Sequence, residues 1–152
     1  QVPAQRAWGL DHRRLAGSRA TLLHRDLHLD NVLFDRRSGQ PIVLDWALVA
    51  RGSPALDLAA VVFELADLRD TGAVMSHYLS TLQRQGGPAF DATGFAALLG
   101  AAMLLRFAAA TCGVAHWQAA SARGEAITAA GFVRAERAAA HWRARDPELF
   151  AA

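Results

Sequence analysis

Residues 22–31, LLHRDLHLDN, carry an unusual density of polar side chains directly after an apolar pair. Two histidines, two aspartates, an arginine and an asparagine lie within these ten positions. Three kinds of structure are compatible with this stretch: a metal-binding cluster, a catalytic loop, or a polar loop that only closes a fold. The residues on either side are needed to distinguish between them.

The flanking residues predict a β-hairpin immediately after the polar stretch. Thr21–Leu23 is a short apolar strand that leads into it. NVLFDRRSGQPIVLDW then predicts strands at 31–35 and 41–46, joined by a turn around Ser38-Gly39. An antiparallel pairing centred on Ser38 would place Asn31 opposite Asp45, with Cα atoms about 4.5–5.5 Å apart.

This pairing would bring together the oxygen groups that phosphate chemistry requires. Mg²⁺ uses one or two protein oxygens and fills its remaining positions with phosphate and water. Asn31 and Asp45 would provide two such oxygens at the open end of the hairpin. Asp26, in the loop entering the same end, would provide a separate carboxylate, which can orient a hydroxyl nucleophile and accept its proton.

Three motifs in order resemble one known family. HRDLHLDN at 24–31, VLDW at 43–46 and GSPALDLA at 52–59 resemble the aminoglycoside phosphotransferase and choline kinase-like family, which has the kinase-like fold. Members typically read H-G-D-x-H-x-x-N, then I-D-W, then G-x-x-x-x-D-L-A. The resemblance is close from residue 22 to about residue 60, and the order of three spaced motifs makes it specific.

The resemblance implies a role for several residues. Asp26 would be the catalytic base or hydroxyl-orienting residue, and Asn31 and Asp45 would be the Mg²⁺ ligands. Asp57 would be a buried brace for the catalytic loop, and His24 would pack beneath the metal-binding segment. The implied reaction transfers phosphate from ATP to a hydroxyl of a small molecule, either an antibiotic or a metabolite.

Two residues of the first motif keep open roles. Arg25 stands where the small-molecule kinases usually have glycine, and it matches protein kinases instead. However, only eleven residues separate Asp45 from Asp57, which is too few for a phosphorylated activation segment, and no A-P-E follows. The small-molecule branch is therefore favoured. His28 is common at its place in the family; a partly buried histidine that only closes the loop is the preferred interpretation.

Other readings of the same residues remain as alternatives. His24, Asp26 and His28 could bind the metal of a hydrolase, since alternate residues of an extended strand share a face. That reading gives the later Asp-Trp pair no purpose, and no further histidine clusters nearby. A non-catalytic kinase-like binding module is a third possibility. Asp57 could also be a helix first-turn acid that the helix dipole favours.

The rest of the chain predicts a mostly helical body, so the expected class is α+β with one catalytic hairpin. Residues 1–152 are expected to form a single domain. Ser53 is a candidate N-cap for a helix that begins with Pro54. The predicted helices are residues 3–16, the segment from Ser53 to about residue 70, residues 73–84, and two long alanine-rich helices after Asp91 that break near Arg123-Gly124.

Composition excludes several function classes. Hydrophobic residues make up 53% and charged residues 20% of the chain, which is typical of a globular protein. The net charge is +2 and the arginines are scattered, so a nucleic-acid partner is not expected. The single cysteine, Cys112, and the lack of a secretory signal favour the cytoplasm. Arg106 interrupts the apolar segment 95–110, which predicts a buried helix and not a membrane span.

All sixteen basic residues are arginine. In kinase-like phosphotransferases a strand lysine of the N-terminal lobe grips the nucleotide phosphates. The chain has no lysine, no glycine-rich loop and no run of strands before Thr21. The resemblance therefore implies a C-terminal lobe alone, inactive in isolation, with the missing N-terminal lobe or another protein chain as partner. An exposed apolar face and possible self-association would follow from this.

Overall fold

The computed structural model describes residues 15–65, 68–116 and 121–145, and for residues 68, 110–116 and 145 it describes the backbone alone. Within these ranges, residues 15 and 16 are helical, and four short strands then precede four helices. The strands are β1 (Thr21–Leu23), β2 (Val32–Phe34), β3 (Pro41–Val43) and β4 (Ala50–Gly52). The helices are α1 (Ala55–Glu64), α2 (Thr71–Arg84), α3 (Ala92–His116) and α4 (Ala122–Arg145). The expected mostly helical α+β class is confirmed.

The predicted hairpin is present as β2 and β3, but its predicted register is wrong by one residue. Val32 pairs with Val43, and Leu33 pairs with Ile42. The ladder continues through a hydrogen bond from the Leu44 N–H to the Asn31 carbonyl. Asn31 therefore lies opposite Leu44, and Asp45 falls one residue beyond the pairing. A slip of one residue changes which side chains share a face of the sheet.

The turn explains the difference in register. A centre on Ser38 needs an odd number of loop residues, whereas the loop has four, residues 36–39, between the bonded pair Asp35 and Gln40. The Asp35 carboxylate accepts hydrogen bonds from the Arg37 N–H and from both the N–H and the hydroxyl of Ser38. These bonds lower the pKa of Asp35, with the Ser38 N–H as the largest cause. They hold the turn in a tight conformation, and Gly39, at its last position, adopts a positive φ of +69°.

A second two-stranded sheet pairs β1 with β4, which the sequence analysis did not predict. Thr21 pairs with Gly52, and Leu23 with Ala50. A Cβ at Gly52 would lie 2.8 Å from Leu23 Cδ1, so a residue without a side chain allows this close approach. The segment 24–49 therefore begins and ends at neighbouring positions of this sheet. It contains the polar stretch and the hairpin, and the β1–β4 pair joins its two ends, so that it forms a closed unit.

The hydrophobic core lies among α1, α3 and α4. Val62 of α1 and Phe95 and Leu99 of α3 are its largest fully buried apolar side chains. Trp142 of α4 is also buried. Burying a side chain of this size contributes roughly 1.5–3 kcal/mol to stability, so the packing of α1 against α3 and α4 holds α1 in place. Since α1 directly follows β4, the core fixes one end of the closed unit.

Several predicted helix boundaries are corrected by the structure. The helix after Pro54 ends at Glu64 and not near residue 70, because Leu65 adopts an extended conformation. Ser53 does not cap it with its side chain: its buried Oγ has no hydrogen-bond partner among the described residues. The predicted break at Arg123-Gly124 lies inside the first turn of α4, where the Ser121 Oγ accepts from the Gly124 N–H. Of the predicted helix 3–16, residues 3–14 lie outside the described residues.

Helix α3 is longer and more apolar than the sequence analysis allowed. Residues 92–109 reach the length and mean hydropathy, 1.6, of a membrane-spanning helix, so the prediction that this segment falls short is wrong on those two criteria. The core helix of a globular protein passes the same test. Phe95, Leu99 and Met103 of this helix are buried, and the helix packs mainly against α1 and α4.

Candidate active site

His24 joins the polar stretch to the end of the hairpin. It directly follows β1, and only 3% of its surface is exposed. Its Nδ1 accepts from the Asp26 N–H at 3.3 Å, so its proton is on Nε2, which donates to the Leu44 carbonyl at 2.7 Å. Its ring also meets the Trp46 ring edge-on, with centroids 4.8 Å apart. His24 thus connects Asp26 with the residues on both sides of Asp45.

Asp57 holds the backbone of the same loop from the first turn of α1. Its Oδ2 accepts from the His24 N–H at 2.6 Å, and its Oδ1 accepts from the Arg25 N–H at 2.9 Å. Both carboxylate oxygens are therefore used on consecutive peptide groups, 32 and 33 residues away in sequence. Charge-assisted bonds of this kind are among the stronger hydrogen bonds in proteins. The carboxylate also lies at the favourable end of the helix dipole.

Arg25 is forced into the left-handed region by this arrangement. Its φ is +71°, a conformation that costs a residue with a Cβ about 1–2 kcal/mol. Asp57 holds the chain that leads into this conformation, because its carboxylate accepts from two consecutive N–H groups, those of His24 and Arg25. Glycine, which the family named in the sequence analysis usually has at this position, would adopt such a φ without strain.

We expect Arg25→Gly to be neutral or stabilising by up to about 1 kcal/mol, and Arg25→Val to be destabilising by about 1–2 kcal/mol. Glycine removes the strain, whereas a β-branched residue increases it. Chemical denaturation of the two variants and the parent measures the difference. Arg36→Gly and Arg36→Val, in the exposed hairpin turn, are the matched pair for the loss of an arginine. Equal stability of the two Arg25 variants would contradict the strain.

Asp26, His28 and Asn31 form a connected group in the loop that follows. The Asn31 Nδ2 lies 2.9 Å from the Asp26 carbonyl oxygen, 3.1 Å from the His28 Nε2 and 3.4 Å from the Asp26 Oδ2. The main chain supports the same shape, since the Asn31 N–H donates to the His28 carbonyl at 2.9 Å. The amide nitrogen is turned inward, and the Asn31 Oδ1 accepts none of the hydrogen bonds found in the described part of the chain.

Asp45 comes one residue after the end of the β2–β3 pairing and adopts a left-handed conformation, with φ +57°. The chain turns there from the hairpin into a 3-10 turn, Trp46–Leu48. Its Oδ1 accepts only a long bond, 3.4 Å, from the Ala47 N–H, and the side chain is exposed. Its carboxylate can therefore bind an external cation. The predicted face-to-face pairing of Asp45 with Asn31 is wrong, because the ladder ends at Leu44 and the chain turns at Asp45.

The hydrolase alternative fails at His24. Both of its ring nitrogens are used in internal hydrogen bonds, and the ring is buried, so it has no lone pair for a metal ion. Among the described residues no group of three or more histidine, cysteine, aspartate or glutamate side chains could hold a metal. A Mg²⁺ site made of one amide and one carboxylate needs no such group, since phosphate and water fill the remaining positions.

Two further residues belong to the site and were not singled out from the sequence. Trp46 donates its Nε1–H to the Val43 carbonyl at 3.1 Å, which locks its ring against His24 although 47% of the residue is exposed. The pKa of Tyr78 on α2 is raised, chiefly by burial and also by the negative charge of Asp57. Trp46 could have been found from the sequence, because it is part of the VLDW motif. No sequence feature indicates that Tyr78 lies near Asp57.

Comparison with known proteins agrees with the arrangement of these residues. Residues 1–121 match the phosphotransferase enzyme family. The matched segment includes every residue of the candidate site. Comparisons with curated proteins and with solved structures each gave no significant match.

Proposed function

Because this chain belongs to the phosphotransferase enzyme family, we propose that it transfers the γ-phosphate of ATP to a hydroxyl group of a small molecule. One observation carries the proposal: the Asn31 amide is fixed by Asp26 and His28 with its nitrogen inward. This leaves the amide oxygen without an internal donor among the described residues. Asp45 comes one residue after the Leu44–Asn31 backbone hydrogen bond, and its carboxylate accepts no short hydrogen bond. Those are the two groups that a Mg²⁺–phosphate reaction needs from this part of the protein.

The donor set fits a hard divalent cation. The Asn31 Oδ1 and the Asp45 carboxylate would hold Mg²⁺, since both are oxygen ligands without a strong internal partner among the described residues. Magnesium, when bound, neutralises charge that develops on the transferring phosphate. His24 ties the Leu44 carbonyl to the Asp26 N–H, so the chain before Asp45 keeps a fixed position relative to the catalytic loop.

Asp26 is proposed to act on the acceptor. Its carboxylate orients the acceptor hydroxyl and takes up its proton, while that oxygen bonds to the γ-phosphorus and the bond from phosphorus to the β-phosphate oxygen breaks. Catalysis of this kind depends mainly on positioning. The bonds from Asp57 to His24 and Arg25 supply it, because they fix the two residues that precede Asp26.

We propose that this chain is the catalytic C-terminal lobe of a kinase-like enzyme of the cytoplasm, working with a nucleotide-binding lobe. Support comes from the large apolar side chains that are exposed around the site, a pattern typical of a surface that another domain or another protein chain covers. These residues are Leu22, Leu33, Phe34, Ile42, Trp46 and Leu48. The acceptor is expected to be an antibiotic or a metabolite with a free hydroxyl.

The proposal is tested on the intact protein that contains this chain. Radioactive γ-phosphate transfer to a panel of hydroxyl-bearing small molecules, measured with ADP formation, should show magnesium-dependent transfer to at least one member. Release of phosphate to water alone, or no ADP with any acceptor, would contradict a phosphotransferase acting on small-molecule hydroxyls. The binding-module alternative predicts nucleotide binding at most, with no turnover.

Asp45→Asn should weaken the use of magnesium. We expect the Mg²⁺ concentration for half-maximal activity to rise about tenfold, equivalent to roughly 1.4 kcal/mol, because a neutral amide is a poorer ligand than a carboxylate. The measurement is activity against Mg²⁺ concentration at fixed ATP. Asp70→Asn, an exposed aspartate before α2 that makes no side-chain cap, is the matched control. An unchanged Mg²⁺ requirement in Asp45→Asn would remove Asp45 from the metal site.

A further inference from the structure

We propose that His28 is a positioning residue that sets the orientation of the Asn31 side-chain amide, so that its oxygen faces the metal. This inference rests on the proposed function, and it gives a role to a residue that the sequence left open. His28 is not a metal ligand in this arrangement. Its Nε2 lies 3.1 Å from the Asn31 nitrogen and thus on the inward side of the amide.

The chemistry of the contact fixes the state of both side chains. An amide nitrogen carries two hydrogens and accepts no hydrogen bond, so the His28 Nε2 must be the acceptor. The imidazole proton is then on Nδ1, which faces the Asp30 carboxylate at 3.9 Å. The Asp26 Oδ2 lies 3.6 Å from Nε2, so the two carboxylates flank both ring nitrogens and do not select a tautomer. The Asn31 amide nitrogen, which can only donate, selects it.

The contact decides where the second amide hydrogen of Asn31 goes. The first hydrogen has its partner in the Asp26 carbonyl at 2.9 Å. The second can bond to His28 at 3.1 Å or to the Asp26 carboxylate at 3.4 Å, and the shorter contact is with His28. Without the imidazole, the remaining partner is the Asp26 carboxylate, and the amide is free to rotate toward it. Asn31 would then lose its fixed orientation, and Asp26 would lose a lone pair needed for the acceptor hydroxyl.

Backbone hydrogen bonds hold His28 where its imidazole is within hydrogen-bonding distance of the Asn31 amide. The His28 N–H donates to the Asp26 carbonyl at 3.1 Å, and the His28 carbonyl accepts from the Asn31 N–H at 2.9 Å. The imidazole is thus held between the two residues it separates, and its side chain is only 32% exposed. This support makes a change of side chain at 28 a test of the imidazole and not of the backbone.

Two amide substitutions separate the two ring positions. The glutamine Oε1 can occupy the place of the imidazole Nε2, whereas the shorter asparagine Oδ1 reaches only the place of Nδ1. His28→Gln should therefore keep the acceptor for the Asn31 amide, and His28→Asn and His28→Ala should lose it. All three remove the ring, so a purely packing role predicts similar losses in all three.

The experiment is a Mn²⁺ titration of the intact protein, with the free ion followed by electron paramagnetic resonance, and with magnesium-dependent turnover measured in parallel. We expect the Mn²⁺ Kd to rise about tenfold in H28A and H28N and to stay within about threefold of the parent in H28Q. The turnover rates should follow the same order. Should H28A fail to fold, the comparison of H28Q with H28N, which differ by one methylene, decides the outcome.

Asn31→Ala separates this inference from the proposed function. Weaker Mn²⁺ binding in N31A and H28A, with H28Q close to the parent, supports both. Weaker binding in N31A with no change in H28A and H28N would overturn the role of His28 and leave the metal assignment intact. Unchanged binding in N31A would overturn the metal assignment and the His28 inference together. Equal losses in H28Q, H28N and H28A would show that His28 acts by packing.

Discussion

Asp26→Asn in the intact protein is expected to lower turnover by on the order of 10²–10⁴-fold, the usual contribution of a general base. The change keeps the size of the side chain but removes the group that takes up the acceptor proton. The Asp26 backbone should stay in place, since its N–H bonds to His24 and its carbonyl accepts from Asn31 through atoms that the substitution leaves unchanged. Nucleotide binding should therefore be nearly unaffected.

Steady-state rates and ATP binding, measured on the same preparation, test this prediction. Asp70→Asn makes the same chemical change at an exposed position before α2 and should keep full activity. Asp45→Asn should behave differently from Asp26→Asn, because it raises the Mg²⁺ concentration needed for activity, whereas Asp26→Asn lowers the rate even at saturating Mg²⁺. If Asp26→Asn keeps its activity, Asp26 is not the base.

The position of the site was predictable because its residues lie close together in sequence. His24, Asp26 and Asn31 lie within one loop, and the hairpin returns Asp45 to its end. Both features depend on local chemistry: a short apolar strand, a polar loop and a turn with serine and glycine. A resemblance in three ordered motifs then adds roles that local chemistry alone leaves open.

The register was not predictable to one residue because one side chain decides it. Asp35 binds three hydrogen-bond donors of the turn, and this selects a four-residue loop where a loop of odd length had been expected. The polar residues of DRRSG are compatible with either length. The proposed metal-binding role of Asp45 does not depend on the predicted pairing, since the exposed Asp45 follows the ladder in a left-handed turn.

Contacts between distant parts of the chain were the least predictable. The pairing of β1 with β4 joins residues about thirty positions apart, and β4 consists of Ala50, Arg51 and Gly52, which have no strand pattern. The conformation of Arg25 is supported by the hydrogen bonds that the His24 and Arg25 N–H groups donate to Asp57, which is more than thirty residues away. Neither feature leaves a periodic or compositional signal in the sequence.

Asp57→Asn should have the largest effect on stability, about 2–3 kcal/mol, and should also lower turnover by roughly 10²-fold. An amide can accept with one atom only, so the N–H of His24 or of Arg25 would face the NH₂ group and lose its partner. The loop before Asp26 would then relax from the left-handed conformation of Arg25, and a shift of about 1 Å at a catalytic group can cost about 10²-fold in rate.

The size of the loss in stability and turnover distinguishes two roles of Asp57: a carboxylate that holds the backbone of the loop, and one that interacts only with the helix dipole. If Asp57 acts only on the helix dipole, Asp57→Asn should cost about 0.3–1 kcal/mol and leave turnover unchanged. Chemical denaturation and steady-state rates on the same variant distinguish the two cases. Arg25→Gly combined with Asp57→Asn adds a further test. With glycine at 25 the left-handed conformation is free of strain, so the double variant should recover part of the lost turnover.

Tyr78 provides an independent measure of the same carboxylate. It is the only tyrosine in the chain, so ultraviolet titration of tyrosinate reports on one residue. Its pKa is raised from 10.0 by burial and by the charge of Asp57, and Asp57→Asn removes the second cause. The Tyr78 pKa should therefore fall in the variant but stay above 10.0.

Because a raised folded pKa favours the protonated form, the stability that Tyr78 contributes is complete below pH 10.0 and is lost as the pH rises through the folded pKa. The loss should be smaller in Asp57→Asn, and an unchanged Tyr78 titration would show that Asp57 does not lie close to the tyrosine.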